Sequence, residues 1–301
     1  VSKYRTQIDY NIKPWLGRVK LSTLSMSPHM IQALYNNLQH GVDGRKGLSP
    51  KSIHCLHGVL HSALEKAVAL GYIQRNPTEQ CTLPRIEKRE MQVIKDEDIA
   101  RFLDAIKGHK YETVYLVDMF TGLREGEILG LTWDCVDFKN NTLTINKQLQ
   151  KERKAGGQYY LSASTKTSKV RTITVSLHVM NTLRQVRAKQ REWRLQMGSA
   201  WDNLMNLVFT TEQGRYLTTV TVYNNLKRIV AGLGLEKVRF HDLRHTFATI
   251  ALQNGDDIKT LQQALGHSDV STTLNVYGHV TERMKRESAD KMDAFIETLR
   301  R

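Results

Sequence analysis

The sequence predicts a multidomain protein, mainly α-helical with a small antiparallel β-sheet. Its 301 residues are a length typical of about two domains. Apolar residues recur at helical spacing through residues 1–81, and this pattern stops at residues 82–93, where Pro84 and the run RIEKRE indicate a linker. Residues 94–301 return to helical spacing, except between Val136 and Val175, where the period becomes two.

Composition points to a polyanionic partner. The formal net charge is +14 and the pI is about 9.7, although a merely solvated basic surface remains the alternative. No apolar run approaches the ~20 residues of a membrane span. Cys55, Cys81 and Cys135 are scattered and lack C-x-x-C spacing, which favours a reducing cytoplasm over a disulfide framework or a cysteine-based metal site.

The N-terminal domain is predicted to be a set of helices. One covers Arg5–Leu16, and Ser27-Pro28 starts another that continues to about Leu38. Ser49-Pro50 repeats this start signal for the longest helix, Lys51–Leu70. The apolar stripe of that helix is formed by Ile53, Leu56, Val59, Leu60, Leu64 and Val68. Because the domain is basic, it is either a bundle with a solvated face or a DNA clamp, and these residues alone do not decide between them.

After the linker, helices are expected at Asp96–Ile106, Tyr111–Phe120 and Leu123–Leu129. The third carries Arg124 in its first turn, where the helix dipole disfavours a cation. Arg124 therefore requires a nearby anion. Glu127, one turn along, could supply it, and so could a bound phosphate.

The period-two region predicts short strands. They are Val136–Phe138, Thr142–Ile145, Tyr159–Leu161 and Val170–Val175. We expect the last two to form a hairpin through residues 164–169, whose tip carries Lys166. A lysine at such a tip is ordinarily solvated. It would have a functional role only if the hairpin lies over an active site. Residues 151–157 form a second, basic tip.

The remaining elements are mostly helical. Leu177–Met197 and Thr219–Ala231 are predicted helices, and Leu207–Thr210 is a predicted strand. Residues 281–301 form a last amphipathic helix. Its apolar positions are Met284, Met292, Phe295, Ile296 and Leu299.

The segment Phe240–Tyr277 contains side chains suited to binding an anion. His241, Arg244 and His245 are spaced to share one face near the start of a helix, which suits a phosphate. The i, i+4 histidine pair also has the spacing of a zinc helix. Arg244 between them would repel a cation, so we expect no metal and interpret His245 as a packing or supporting residue.

Four motifs in order resemble the tyrosine recombinases, most closely integrases of phages and conjugative transposons in Gram-positive bacteria. They are TGLREGEILGLTW at 121–133, STKTSKVRTITV at 164–175, HDLRHTFAT at 241–249 and LGHSDVSTTLNVY at 265–277. The resemblance covers the whole chain. It implies a helical core-binding domain, an α+β catalytic domain that includes the C-terminal helix 281–301, and no N-terminal arm-binding domain.

The resemblance also implies the catalytic roles. Tyr277 would be the nucleophile, and Arg124 and Arg244 would hold the scissile phosphate. The remaining roles are proton transfer from Lys166, with Lys169 as its alternative, active-site histidines at His241 and His267, and support of Arg124 by Glu127. The reaction needs neither metal nor nucleotide cofactor. Tyr277 lies one residue further beyond His267 than in many relatives, which bears on how the tyrosine segment packs.

We further expect duplex DNA as the partner, bound by a homo-oligomer of two to four subunits in the bacterial cytoplasm at the nucleoid. The C-terminal helix would dock on a neighbouring subunit. The residues expected to contact DNA are Lys51, Ser52, His54, Lys151, Arg153, Lys154, Lys169 and Arg171.

Integration and excision of a mobile element is the expected function. A missing arm-binding domain would instead favour a chromosome-dimer resolvase, whereas the basic tip at 151–157 favours an integrase. A non-catalytic DNA-binding regulator would lack catalytic residues, and every one is present in this sequence.

Overall fold

The computed structural model describes residues 2–42, 44–87, 93–152, 154, 156–163, 170–266 and, near the C-terminus, 289–290, 292–293 and 295–298. The chain divides into two units, Val1–Arg89 and Glu90–Arg301. Among the described residues, no helix is both long and apolar enough to cross a membrane.

The first unit is helical in its described part. Its elements are α1 (Ser2–Thr6), a π-helical turn (Gln7–Ile12), α2 (Lys13–Leu16), α3 (Leu21–Met26), α4 (Pro28–His40), α5 (Pro50–Ala69) and a 3₁₀ turn (Pro77–Gln80). The Ser49 hydroxyl accepts a hydrogen bond from the Ser52 amide at 3.3 Å, so the predicted start signal of α5 is confirmed.

The core of this unit lies between α4 and α5. Ile31 and Leu34 of α4 and Ile53 and Leu56 of α5 are each at most 1% exposed. Leu60 and Leu64 are also buried, so four of the six positions of the predicted apolar stripe face the core, while Val59 and Val68 are half-buried.

The second unit combines helices with two small sheets. Its helices are α6 (Asp96–Ile106), α7 (Glu112–Thr121), α8 (Glu125–Leu129), α9 (Leu177–Met197), α10 (Thr219–Gly232), α11 (Phe240–Gln253) and α12 (Ile258–Leu265). Its strands are β1 (Val136–Asp137), β2 (Thr142–Ile145), β3 (Lys147–Lys151), β4 (Tyr159–Ala163) and β5 (Arg171–Thr174). Residues 289–290, 292–293 and 295–298 are helical as well.

Strand pairing differs from the prediction. All pairs are antiparallel, with the order β1-β2-β5 in one sheet and β3-β4 in the other. The expected hairpin between Tyr159–Leu161 and Val170–Val175 is therefore wrong, because β4 pairs with β3 and β5 with β2. We did not predict β3, whose sequence KQLQK has a single apolar residue, Leu149, which is 3% exposed.

One further predicted strand is reduced to bridges. Within Leu207–Thr210, only Leu207 and Thr210 make isolated β-bridges, to Thr132 and Tyr216. The segment is nevertheless buried. The side-chain amide of Gln190 on α9 donates to the carbonyls of Leu207 and Val208. Hydrogen bonds from a helix side chain here replace those of a neighbouring strand.

Helix α7 is central to the second unit. It packs against α9 on one side and α11 on another. The Tyr115 hydroxyl donates to the Val222 carbonyl of α10 at 2.9 Å, and its ring lies 6.3 Å from that of Phe240 on α11. A separate apolar cluster joins α11 to α12 through Ala248, Ala251, Leu252, Leu261 and Leu265.

Gly122 ends α7 and brings the chain close to α11. Its φ of +61° lies in the left-handed region, and a Cβ built there would lie 2.4 Å from Phe247 Cδ1. Both the backbone angle and the close contact therefore require glycine at the residue that leads the chain towards Arg124.

Gly122→Ala should lower the free energy of unfolding by about 1–3 kcal/mol, because the new methyl group overpacks Phe247 and strains the left-handed turn. Denaturant unfolding monitored by circular dichroism measures this. Gly232→Ala in α10 is the matched control: its Cβ would meet nothing within 4 Å, so about 0.5–1 kcal/mol of stabilisation is expected. Equal effects of the two substitutions would contradict the assignment.

Candidate active site

Arg124 and Glu127 form an ion pair at the start of α8. Arg124 is the N-cap residue, and its amide donates to Glu127 Oε2 at 3.0 Å. Its guanidinium Nη1 donates to Glu127 Oε1 at 2.8 Å. The side chain of Glu127 is 6% exposed and that of Arg124 is 35% exposed. The local anion that the sequence required for Arg124 is thus present as Glu127, and one part of the guanidinium still reaches the surface.

A second arginine binds the same carboxylate. Arg171 of β5 donates from Nη1 to Glu127 Oε1 at 3.0 Å and from Nη2 to Oε2 at 2.7 Å. Its Nε donates to the Ala264 carbonyl at 2.8 Å, and its side chain is 10% exposed. We had expected Arg171 to contact DNA. Its guanidinium instead lies inside the protein, where Nη1 and Nη2 bind Glu127 and Nε binds the end of α12.

The pKa of Glu127 reflects these contacts. Burial alone would raise it, but the hydrogen bonds and charge of Arg171, together with those of Arg124, lower the pKa to about 2. Glu127 is consequently ionised at neutral pH and can hold both guanidiniums at once.

Arg244 lies one turn into α11 and is 2% exposed. Its Nη1 donates to the Gly122 carbonyl at 2.7 Å and its Nη2 to the Leu265 carbonyl at 2.6 Å. These bonds connect α11 to the end of α7 and to the end of α12.

Three arginines therefore meet at the C-terminal end of α12. Arg171 binds the carbonyl of Ala264, Arg244 that of Leu265, and Arg124 that of Gly266, the last at 2.8 Å. Carbonyls at a helix C-terminus carry partial negative charge and lack intrahelical partners, so guanidiniums are favoured there. Gly266 permits this, since its φ is +64° and an added Cβ would lie 2.9 Å from Arg171 Nη1.

The first turn of α11 is fixed by a pair that we had not predicted. Asp242 is fully buried and accepts from the Arg239 amide at 2.8 Å and from the Arg239 guanidinium at 3.1 and 2.9 Å. An aspartate three residues after the N-cap position is the signal that could have revealed it.

The two histidines of α11 are adjacent. The rings of His241 and His245 lie 4.8 Å apart, edge to face. Burial lowers the pKa of His241, and the charge of Arg244 lowers it further. That of His245 is lowered to about 4, first by burial and then by His241. Both rings are thus favoured as neutral at pH 7, and among the described residues no three metal-ligating side chains come together.

Several of the other predicted site residues are not described. Lys166, Lys169, His267, Tyr277 and Arg153 lie outside the described residues. In the second unit, Lys151 is exposed at the end of β3, and Lys154 pairs with Glu152 at 3.0 Å.

The candidate DNA contacts of the first unit lie at the start of α5. Lys51 is exposed. The Ser52 hydroxyl lies 2.9 Å from that of Ser49, within the helix cap. A ring nitrogen of His54 donates to the Pro84 carbonyl at 2.9 Å. Lys51 is therefore the one of these three whose side chain makes no hydrogen bond or ion pair with another described residue.

Chemically, the cluster suits an anion. Arg124, Arg171 and Arg244 bring three positive charges to one helix end, against the ionised carboxylate of Glu127. Arg124 is partly exposed and can donate paired hydrogen bonds to a phosphate. Backbone carbonyls position the guanidiniums without neutralising them.

Glu127→Gln should destabilise the fold by about 3 kcal/mol, because it removes the charge between two arginines. The wild type should lose this contribution as pH falls from 4.5 towards about 2, since the pKa of Glu127 is lower in the folded state. Chemical unfolding across that pH range measures both effects. Glu97→Gln is the control: Glu97 is 75% exposed, so little change is expected. A variant as acid-sensitive as the wild type would contradict the assignment.

Known proteins resemble this chain in sequence and fold. Residues 92–284 match the phage integrase family. A protein named tyrosine recombinase XerC-like from Caldanaerobacter subterraneus subsp. tengcongensis is 32% identical over 284 residues, covering 88% of this chain and 71% of the relative. The ICEBs1 integrase of Bacillus subtilis is 25% identical, covering 82% of this chain and 66% of the relative.

Among solved structures, the Tn1549 transposon integrase in complex with transposon right end DNA has a similar fold. The TM-score is 0.73 at 23% identity, and the match covers 88% of this chain and 85% of that one. The family match spans well over half of the sequence and contains the arginine cluster at the end of α12. The chain belongs to the phage integrase family of tyrosine recombinases.

Proposed function

We propose that this protein cuts and rejoins DNA at specific sites through a 3′-phosphotyrosyl intermediate, to integrate and excise a mobile element. The observation that carries the proposal is the meeting of Arg124 and Arg244 at the end of α12, in a chain that carries the family's motifs in order. The names of the ICEBs1 integrase and of the Tn1549 transposon integrase support the mobile-element assignment.

In this reaction the two arginines bind the non-bridging oxygens of the scissile phosphate. Attack on phosphorus increases negative charge on these oxygens, so paired guanidinium donors stabilise the transition state. Glu127 and the carbonyls of α12 keep the guanidiniums oriented before DNA arrives, which reduces the cost of ordering them.

Tyr277 supplies the nucleophile. Its phenol has an ordinary pKa of about 10, so a proton acceptor is needed at neutral pH. His241 and His267 are the candidates, and the lowered pKa of His241 favours the neutral, accepting imidazole. The phenolate oxygen bonds to phosphorus and the bond to the 5′ oxygen breaks. Lys166, or alternatively Lys169, gives that oxygen a proton. Reversal by another 5′ hydroxyl rejoins the strand without a metal or nucleotide cofactor.

The partner is duplex DNA in the cytoplasm, at the nucleoid. The charge of +14 supports binding dominated by phosphate contacts. Candidate DNA contacts are Lys51, Ser52 and His54 of α5, and Lys151, Arg153, Lys154 and, if it is not the proton donor, Lys169 of the second unit.

The C-terminal helix is the candidate contact between subunits. Met292 and Phe295 are each 58% exposed and Ile296 is 39% exposed, so the described part of its apolar face is open to solvent. A second copy of the protein, bound beside the first on DNA, would bury this face.

Tyr277→Phe should abolish covalent complex formation, because phenylalanine has no oxygen to attack phosphorus. The measurement uses a duplex from the element's end, nicked next to the cleavage position so that the released fragment diffuses away, followed by denaturing electrophoresis. Tyr72→Phe, at a site 70% exposed, is the matched control and should still form the complex. The proposal fails if the wild type forms no adduct or if Tyr277→Phe forms one.

Met292→Ser with Phe295→Ser should weaken the complex that joins two duplexes by roughly tenfold or more, as expected when an aromatic anchor leaves an interface. Binding to a single half-site should not change. Gel-shift titration of one-duplex and two-duplex complexes separates the effects. Asp293→Asn, exposed on the same helix, is the control. Equal losses in both complexes would show that the helix does not act between subunits.

A further inference from the structure

Asp118 is a buried acid that the proposed reaction does not use. It lies in α7, is 0% exposed, and neither carboxyl oxygen has a hydrogen-bond partner. Among the described residues, the only other buried side-chain polar atom without a partner is Oε1 of Glu125. Unpaired carboxylates are costly to bury, so Asp118 calls for an explanation.

Its position on α7 places it beside Arg244. Tyr115, Asp118 and Gly122 follow one another along one face of this helix. The Tyr115 ring packs 6.3 Å from that of Phe240, and the Gly122 carbonyl accepts from Arg244 at 2.7 Å. Phe240 and Arg244 are one turn apart on α11. Asp118 therefore lies between these two contacts, within the interface of α7 and α11.

Packing does not account for an acid at this point. The neighbouring buried positions of α7 are mostly apolar, including Val114, Val117 and Met119. An apolar residue of similar size would avoid the desolvation of a carboxylate. What a carboxylate supplies, and a hydrocarbon does not, is a negative charge that interacts electrostatically with Arg244 across the interface of α7 and α11.

We propose that Asp118 is a positioning residue for Arg244. The buried carboxylate of Asp118 attracts the guanidinium of Arg244 and keeps it in place for the scissile phosphate. Attraction from α7 adds to the two hydrogen bonds that Arg244 makes with the carbonyls of Gly122 and Leu265. Together these interactions restrain the guanidinium. The proposal rests on the proposed function, since it assumes that Arg244 binds the phosphate.

Ionisation of Asp118 is sensitive to its neighbours. Burial raises its pKa well above the usual value, Arg244 lowers it, and Glu125 and Glu127 on α8 raise it. The other titratable or charged groups described near this interface lie on three elements: Arg239, His241, Asp242 and His245 at the start of α11, Arg124 at the start of α8, and Tyr115 on α7. Because the pKa is raised in the fold, the protonated acid is stabilised, and this stability is lost as pH rises towards the folded pKa.

Asp118→Asn in the full-length chain tests the proposal. The variant removes the charge and keeps the shape. We expect its melting temperature to exceed that of the wild type, by a margin that widens as pH rises above about 4. Its rate of adduct formation on the nicked duplex should fall by about tenfold to 100-fold, the loss expected from a displaced catalytic group. Affinity for the duplex should barely change, because many phosphate contacts share it.

The pH profile separates positioning from a purely structural role. The stability difference stops widening where Asp118 ionises in the folded protein. The ratio of wild-type to variant rates should increase with pH through this same range, because the carboxylate is the active form of Asp118. A ratio independent of pH would overturn the proposal. Thr182→Val in α9, where the buried hydroxyl donates to the His178 carbonyl, is the control for loss of a buried polar group and should keep the wild-type rate.

Other outcomes also decide the matter. If Asp118→Asn is more stable and cleaves at the wild-type rate, Asp118 has no role in positioning, and the proposed function stands because the wild type still forms the adduct. If both Asp118→Asn and Asp118→Ala fail to fold, the acid is required for folding and the proposal is overturned. If the wild type itself forms no adduct, the proposed function fails and this inference with it.

Discussion

The candidate active site depends on the way α12 ends. Helix α12 stops at Leu265, and its last exposed carbonyls, those of Ala264, Leu265 and Gly266, each accept a hydrogen bond from a different arginine. The arginines come from β5, α11 and the start of α8, which are far apart in the sequence. One helix end therefore brings three elements of the unit into register and concentrates positive charge at one point.

Glu127 completes this arrangement by connecting two of the three arginines. The guanidinium of Arg171 is mostly buried and binds both oxygens of the carboxylate, whereas the guanidinium of Arg124 binds one oxygen and its side chain remains partly exposed. The buried arginine thus fixes the carboxylate, and the carboxylate orients the exposed arginine. Glu127 and the Gly266 carbonyl hold the Arg124 guanidinium from the protein side, and the exposed part of the side chain can still donate to a ligand. A salt bridge that engaged every donor of the guanidinium would not permit this.

Local signals in the sequence were sufficient for much of the fold. The bounds of α9 agree with the prediction because Ser176 caps its start, Gly198 follows its end, and the apolar spacing between them is regular. Strand β3 was missed because KQLQK has one apolar residue and its partner lies across a loop. The sequence also could not indicate that β5 pairs with β2, since sheet order depends on contacts between distant residues.

The candidate site was predictable only in part for the same reason. Arg124, Glu127 and Arg244 stand in motifs, and their neighbourhood could be anticipated. Arg171 could not be distinguished from a surface arginine, because its partner is 44 residues away. The accepting groups on α12 are main-chain atoms, which no residue type reveals. Asp118 carried a weak signal, an acid among the apolar residues of α7.

Main-chain acceptors at the end of α12 also affect how the site can vary among related sequences. A carbonyl oxygen is present whatever side chain the residue bears, so substitutions at Ala264 and Leu265 need only preserve the helix and its packing. Gly266 is different, since its backbone angle and the nearby Arg171 both exclude a side chain. In this chain, substitutions along α12 that preserve the helix should therefore leave the arginines held as they are, whereas a side chain at Gly266 would not.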